Sequence, residues 1–372
     1  MSELKVDKVS PRSGNYVALN TVESKNIVIN GDMSIAQRNT SVASITGNGY
    51  YTLDRYQMEM SSLGTWTMSQ STDVPTGQGF AKSLKLDCTT ADAAPAAGAY
   101  MTVSQRFEGQ NLQYLKKGTA NALPLTLSFW VKSTKTGTFI IELIDTNNTR
   151  SISKSYTVSV SNTWEFKTIT FAGDTTGTFT NNNAASLVLA FWLGAGTNFT
   201  SGTLQTSWGS RTTANQAVGQ VNIADSTSND FLITGVQLEA GTTASDFCFL
   251  PFDVNLQRCQ RYFQTSFNTG QIPVNNAAHA NYMFVRPFSG SSFAGIQVGY
   301  RTRMRTTPSV ALYTSAQSSG AVGNISYFDG SSWLNTPISI HSTSSENQFI
   351  LNGSLVASAV LVQFNYAASA EL

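Results

Sequence analysis

The sequence predicts an all-β protein of stacked antiparallel sheets, and three observations predict it. Apolar residues recur with period two through most of the chain, and no long 3.6-residue pattern appears. Gly, Asn, Asp and Ser clusters break the apolar runs every ten residues or so. Charged residues make up 12% of the 372, against about 25% in an average soluble protein. Thr, Ser and Asn fill their place and suit pleated surfaces and tight turns. The order predicted is an N-terminal strand leader, a jelly-roll β-sandwich, a short connector helix and a C-terminal β-sandwich.

Residues 1–25 read as an attachment leader. Leu4, Val6 and Val9, then Val17 and Leu19, stand among polar neighbours around a Pro11–Asn15 turn. A two-stranded piece is marginal alone, so it is expected to dock on another chain. The jelly roll is placed at 26–250. Its strand candidates are Ile27–Ile29, Tyr50–Met60, Ser83–Asp87, Leu123–Lys132, Phe139–Ile144, Ser155–Val160, Glu165–Phe171, Ser186–Leu193 and Phe231–Leu238. In LPLTLSFWVK, Leu125, Leu127, Phe129 and Val131 fall on one face. Trp130, Phe191 and Trp192 sit in apolar runs and read as buried. Gly235, inside a strand, marks a bulge or a close backbone approach.

The connector is placed at 251–265, where Asp253 is the expected cap of a helix and Leu256, Cys259 or Gln260, and Phe263 share a stripe. Residues 266–372 form the C-terminal sandwich and candidate tip. Its strand candidates are Tyr282–Arg286, Gly295–Arg303, Ser309–Leu312, Asn324–Phe328, Ile338–Ile340, Phe349–Leu351 and Val356–Tyr366, with a hairpin turn at Asp329-Gly330.

With 23 basic and 22 acidic residues, nothing draws the chain to nucleic acid, and no apolar run approaches the ~20 residues that span a bilayer. The opening MSELKVDKVSPRSG lacks an apolar core and is not read as a signal peptide. Cys88, Cys248 and Cys259 are odd in number and lack CxxC spacing, so they read as reduced thiols. His279 and His341 form no HxxxH or HExxH pattern, and neither GxSxG nor a phosphate loop occurs. The carboxylates Asp54, Glu59, Asp87, Glu108, Glu142 and Asp145 are scattered, and no enzyme activity is expected.

Several segments resemble phage tail-fibre and virion appendage proteins of the marine bacteriophage type, with a domain similar to carbohydrate-binding modules. They are NIVINGDMSIAQR with LDRY, LSFWVKSTKTG, WEFKTITFAGDTTG, NDFLITGVQLEAG with CQRYF, MRTTPSV, the closing NYAASAEL, and the leader LKVDKVSPRSG. The resemblance implies a jelly roll, a C-terminal β domain, homotrimers and no catalytic residues. It also implies a virion location, with assembly in the host cytoplasm alongside other tail or capsid proteins. The function expected is a tail fibre or tail appendage subunit, attached by its N-terminus and meeting a host glycan or outer-membrane receptor. A structural adaptor or capsid decoration protein is the alternative, and a glycan depolymerase a minor one.

Candidate ligand contacts are aromatic and polar residues in polar loops: Trp208 and Arg211, and Tyr327 and Trp333. Leu4, Val6, Val9, Val17 and Leu19 are the candidates for attachment and oligomerisation. No cofactor is expected. A structural calcium is the one idea carried over from the resemblance, with Asp32, Asp54 and Asp230 as its candidate ligands.

Overall fold

The computed structural model describes residues 25–268, 270–277, 282–285, 293–315, 321–353 and 361–372. The leader residues Leu4, Val6, Val9, Val17 and Leu19, together with His279, lie outside them. The first body contains β1 (Ser41–Ile45), β2 (Gln57–Ser61), β3 (Thr65–Ser71), β4 (Ser83–Thr90), β5 (Tyr100–Glu108) and β6 (Leu125–Ser133). It continues with β7 (Gly137–Asp145), β8 (Arg150–Val158), β9 (Glu165–Phe171), β10 (Ala185–Ala195), β11 (Gly209–Ser210) and β12 (Asp230–Ala240).

These strands form two antiparallel six-stranded sheets, ordered β1-β3-β4-β12-β6-β9 and β11-β8-β7-β10-β5-β2. The chain crosses repeatedly between them, as a jelly-roll sandwich requires. Alternation puts Leu127, Phe129 and Val131 of the first sheet and Phe139, Ile141, Leu143, Leu189, Phe191 and Leu193 of the second into one shared core. Each such side chain, fully buried, contributes about 1.5–3 kcal/mol.

Strands β1, β3 and β5 were not read from the sequence, because Thr, Ser and Gln interrupt their apolar alternation. Ile27–Ile29, read as a strand, is irregular backbone. It is held by a bond from the Ile27 amide to the Leu238 carbonyl and by Gln105, which donates to the Ile29 carbonyl and accepts from its amide. Gly235 does both things its position suggested. Its φ is +62°, it sits where the β12–β6 register shifts, and a Cβ there would stand 2.6 Å from the Phe80 ring.

A helix, α2 (Phe252–Gln260), follows the single-turn α1 (Thr197–Thr200). Its N-cap is Pro251, and no side chain caps it; Asp253 sits instead in its first turn. The second body contains β13 (Phe263–Thr265), β14 (Met283–Val285), β15 (Phe293–Gly299), β16 (Ser309–Tyr313), β17 (Asn324–Phe328), β18 (Trp333–Pro337), β19 (Ser339–Ile340), β20 (Gln348–Gly353) and β21 (Leu361–Ser369). The long β21 pairs with β13, β14, β16 and β17, and β15-β20-β19 form the facing sheet. A separate core, with Phe349, Leu351, Val362 and Phe364 at its centre, lies between them.

The short motifs spread over the sequence meet where the two bodies join. Asn30, at φ +61°, exchanges bonds with the Ile35 backbone, donates to the Asp54 carbonyl, and through its backbone amide donates to Asn255 of α2. Gln37 donates to the Phe263 carbonyl, and its backbone amide donates to the buried carboxylate of Asp54. Arg55, fully buried, pairs with Glu371. Glu108 accepts from Arg261 through two bonds of 2.7 Å and from the Tyr262 hydroxyl at 2.5 Å. Arg305 reaches the carbonyls of Asn183, Ala370 and Glu371. The motif residues therefore serve to weld the sandwich to the second body.

Candidate functional site

The outer face of the second sheet carries the polar residues that its core face excludes. Along β5, Met101, Val103 and Phe107 point inward, so Tyr100, Thr102, Ser104 and Arg106 stand outward. Register places the outward residues in rows. Glu59 lies opposite Thr102 and Thr102 opposite Trp192; Ser104 lies opposite Ala190, and Ala190 opposite Glu142.

The connection from Gly196 to Gln216 folds over this face. The two-residue strand β11 pairs with β8, and the Arg211 amide donates to the Thr149 carbonyl, which fixes where the Arg211 side chain begins. Its guanidinium then reaches the fully buried carboxylate of Glu142, with Nε at 3.0 Å from Oε1. Glu142 also accepts from the Trp192 indole at 3.2 Å. A charge buried this deeply requires such partners. On the other side, Arg106 pairs with Glu59 and donates from Nε to Gln57 at 3.0 Å.

Between the two ion pairs stands an aromatic wall. Tyr100 lies 5.2 Å from Phe199 and 6.1 Å from Trp192, ring centre to ring centre. Burial, and then the nearby Glu59, push the Tyr100 phenol up, so it stays a hydrogen-bond donor. The residues enclose a groove of 410 Å³, within the ~300–1,000 Å³ usual for small-ligand sites. On its floor the Thr102 hydroxyl, in a residue 3% exposed, has no hydrogen-bond partner among the described residues. A buried hydroxyl without a partner costs about 1–3 kcal/mol and is an opening for a ligand atom.

Of the four ligand contacts predicted from sequence, only Arg211 lines this groove. Trp208 folds back: its indole donates to the Ala172 carbonyl at 2.7 Å, and its ring packs on the sandwich core. Tyr327 is buried in the second body's core, because β17 turns it inward. Trp333 is not in a loop but opens β18, where its ring lies 5.6 Å from Phe328. Trp130, expected inside, is half-buried on the outer face of the first sheet, since Phe129 and Val131 take the core positions.

The three carboxylates named for calcium each have partners within the protein. Asp32 accepts from Ser34 and Asn255, Asp54 is enclosed by Gln37 and Arg38, and Asp230 pairs with Lys85. Among the described residues, no three His, Cys, Asp or Glu side chains gather as a metal would need. Cys88, Cys248 and Cys259 are free thiols.

Glu59, Tyr100, Thr102, Glu142 and Phe199 were missed as a site. They come from four separate segments, and their one sequence signal is polar residues alternating with Met101 and Val103 along β5.

No family model and no curated protein matches the sequence. Among solved structures, the chain is similar to the enzymatically active domain of bacteriophage CBA120 tailspike protein 4, at 16% identity and a TM-score of 0.31. That match covers 58% of this chain and 21% of the tailspike chain, so it spans about a fifth of that protein. The chain is also similar to the family 11 carbohydrate-binding module of Clostridium thermocellum solved with a β-1,3-1,4-mixed-linked tetrasaccharide. There the identity is 9% and the TM-score 0.28, over 57% of this chain and 99% of the module. A third similar structure is TmCBM61 solved with β-1,4-galactotriose, at 10% identity and a TM-score of 0.28, over 58% of this chain and 99% of that one.

Proposed function

We propose that the chain is a glycan-binding appendage protein of a phage particle, and that the groove on the outer face of the second sheet is its contact site. The observation that carries this is the combination of an aromatic wall, two fixed arginine–carboxylate pairs and one unpartnered hydroxyl in a single concavity. A sugar ring offers an apolar face for Tyr100 and Phe199, and hydroxyls for Thr102, Glu142 and Arg211. A pre-set groove of this kind binds with little ordering cost.

Binding without catalysis is the reading supported here. Both groove carboxylates already accept from arginines, an arrangement that suits holding hydroxyls over donating a proton to a leaving group. Attachment to a particle, homotrimer formation and contact with a host cell come from the resemblance of the motifs.

The test is adsorption of the purified full chain to phage-susceptible cells and to their extracted surface polysaccharide. Saturable binding that Tyr100→Ala lowers by tenfold or more supports the reading. Equal binding by the wild type and the Tyr100→Ala variant, or no binding to cells or polysaccharide, overturns it. New reducing ends from the polysaccharide would make the protein a depolymerase.

A further inference from the structure

The opposite side of the sandwich carries a second concavity, of 690 Å³, on the outer face of the first sheet. Trp130 of β6 and Phe166 of the edge strand β9 form one wall, with ring centres 5.3 Å apart. Phe80, Phe247 and Phe249 form the other, packed at 4.8–5.1 Å. Phe166 and Phe249 are each 49% exposed, though both sit against other rings. Half-exposed rings facing each other across a cleft leave apolar surface that water solvates poorly.

The cleft is built. The missing side chain at Gly235 lets the Phe80 ring lie against β12, where a Cβ would stand 2.6 Å from it. Gln237 accepts from the Cys248 amide at 2.9 Å, and Glu239 accepts from the Ser245 amide at 2.8 Å. These bonds fix the loop that carries Phe247 and Phe249. Ser128 lies on the floor and is 3% exposed. Gln78 and Asp246 stand at the rim.

We infer that this cleft is a second carbohydrate site, for a neutral glycan. Two ring walls suit the apolar faces of a pyranose, and Ser128, Gln78 and Asp246 suit its hydroxyls. The charge of the lining narrows the class. Among the described residues, Asp246 is its one ionisable lining group and no cation lines it, so a uronate or sulfated sugar would enter without compensation. The two concavities lie on opposite outer faces, so one chain would hold two glycan strands, and linked sites raise avidity without new contacts.

The inference does not rest on the first groove, and its test separates the two. Neutral trisaccharides of glucose, galactose and mannose, with tri-galacturonate as the acidic control, are presented to the full chain and followed by saturation-transfer NMR. The Tyr100→Ala background disables the first groove. Saturation transfer to a neutral trisaccharide is expected to persist in that background. It should fall at least tenfold in affinity when Phe166→Ala and Phe249→Ala are added, and return with Phe166→Tyr and Phe249→Tyr.

Because both phenylalanines are half-exposed, the alanine variants should keep the wild-type circular dichroism. A misfolded alanine variant leaves the tyrosine variants and Ser128→Ala to decide. Three results overturn the inference: no neutral trisaccharide bound in the Tyr100→Ala background, binding unchanged by the cleft variants, or tighter binding of tri-galacturonate. A change in sedimentation with the cleft variants, without change in sugar binding, also overturns it and makes the cleft a protein interface.

Discussion

The guanidinium of Arg55 lies 3.5 Å from the centre of the Tyr262 ring, and its far end pairs with Glu371. Arg55 belongs to the sandwich, Tyr262 follows the helix, and Glu371 is the penultimate residue of the chain. Burial opposes the arginine's charge most strongly, but Glu371, Tyr262, Tyr50 and Cys259 around it together outweigh burial and raise its affinity for the proton. A buried pair of this kind is unforgiving of the loss of one partner.

Arg55→Met should therefore destabilise the protein by about 3–5 kcal/mol, because it strands Glu371 in the seam. Arg38, 3.0 Å from Glu371, offsets part of the loss. The double variant Arg55→Met/Glu371→Gln should cost less than the sum of the single variants. Urea unfolding of the four proteins measures the coupling, and additive losses would show the pair to be energetically idle.

The seam should also weaken in acid. Burial alone would raise Glu108, but the bonds from Arg261 and Tyr262 win and hold it below the ordinary carboxylate range. A carboxylate lowered in the folded state contributes its stability fully above its unfolded pKa, and loses it as pH falls through the folded value. Asp54, raised mainly by burial, works in the opposite sense and favours the fold at low pH. Thermal melts between about pH 3 and pH 7 should fall on the acid side, across the carboxylate range near pH 4. Glu108→Gln should flatten that limb; an unchanged limb would place the acid sensitivity elsewhere.

Gly235→Ala should cost at least about 1 kcal/mol, since a side chain at positive φ is strained and its Cβ would meet the Phe80 ring. Gly31→Ala should cost more. There the Cβ would stand 2.1 Å from the Val236 carbonyl oxygen, a backbone atom that cannot swing aside. Equilibrium unfolding of both variants tests the order, and a milder Gly31→Ala would refute it.

Thr102→Val separates stability from binding. The hydroxyl has no partner among the described residues, so the isosteric change should leave the melting temperature unchanged or raise it slightly. Glycan affinity at the first groove should fall about tenfold, near 1.4 kcal/mol. Loss of stability with intact binding would assign the hydroxyl a structural role.

Tyr327→Ala should behave as a core deletion, losing about 3–5 kcal/mol while leaving glycan affinity of the folded fraction unchanged. Lost binding at full stability would restore Tyr327 as a contact residue.

Much of the fold was legible because alternation is a local property. Asn324–Phe328 and Glu165–Phe171 carry strand patterns that need only neighbouring residues, and the structure has both with those bounds. The site was not legible in the same way. Glu59, Tyr100, Glu142 and Arg211 come together only because β2, β5, β10 and β7 are neighbours in one sheet and the 196–216 connection crosses it. Tyr327 and Trp333 lie on strands, although their neighbours along the chain are polar. A polar neighbourhood along the chain says nothing about which way a strand turns its aromatic ring.

The sequence by itself determined that apolar and polar residues would take opposite faces of sheets, because side chains alternate along any strand. It also determined that Gly235 would mark an irregularity. Only the tertiary structure decided which outward residues became neighbours, that separated motifs would meet at Arg55, Tyr262 and Glu371, and where the grooves lie. The reason is that strand order is set by long-range pairing, which local periodicity does not encode.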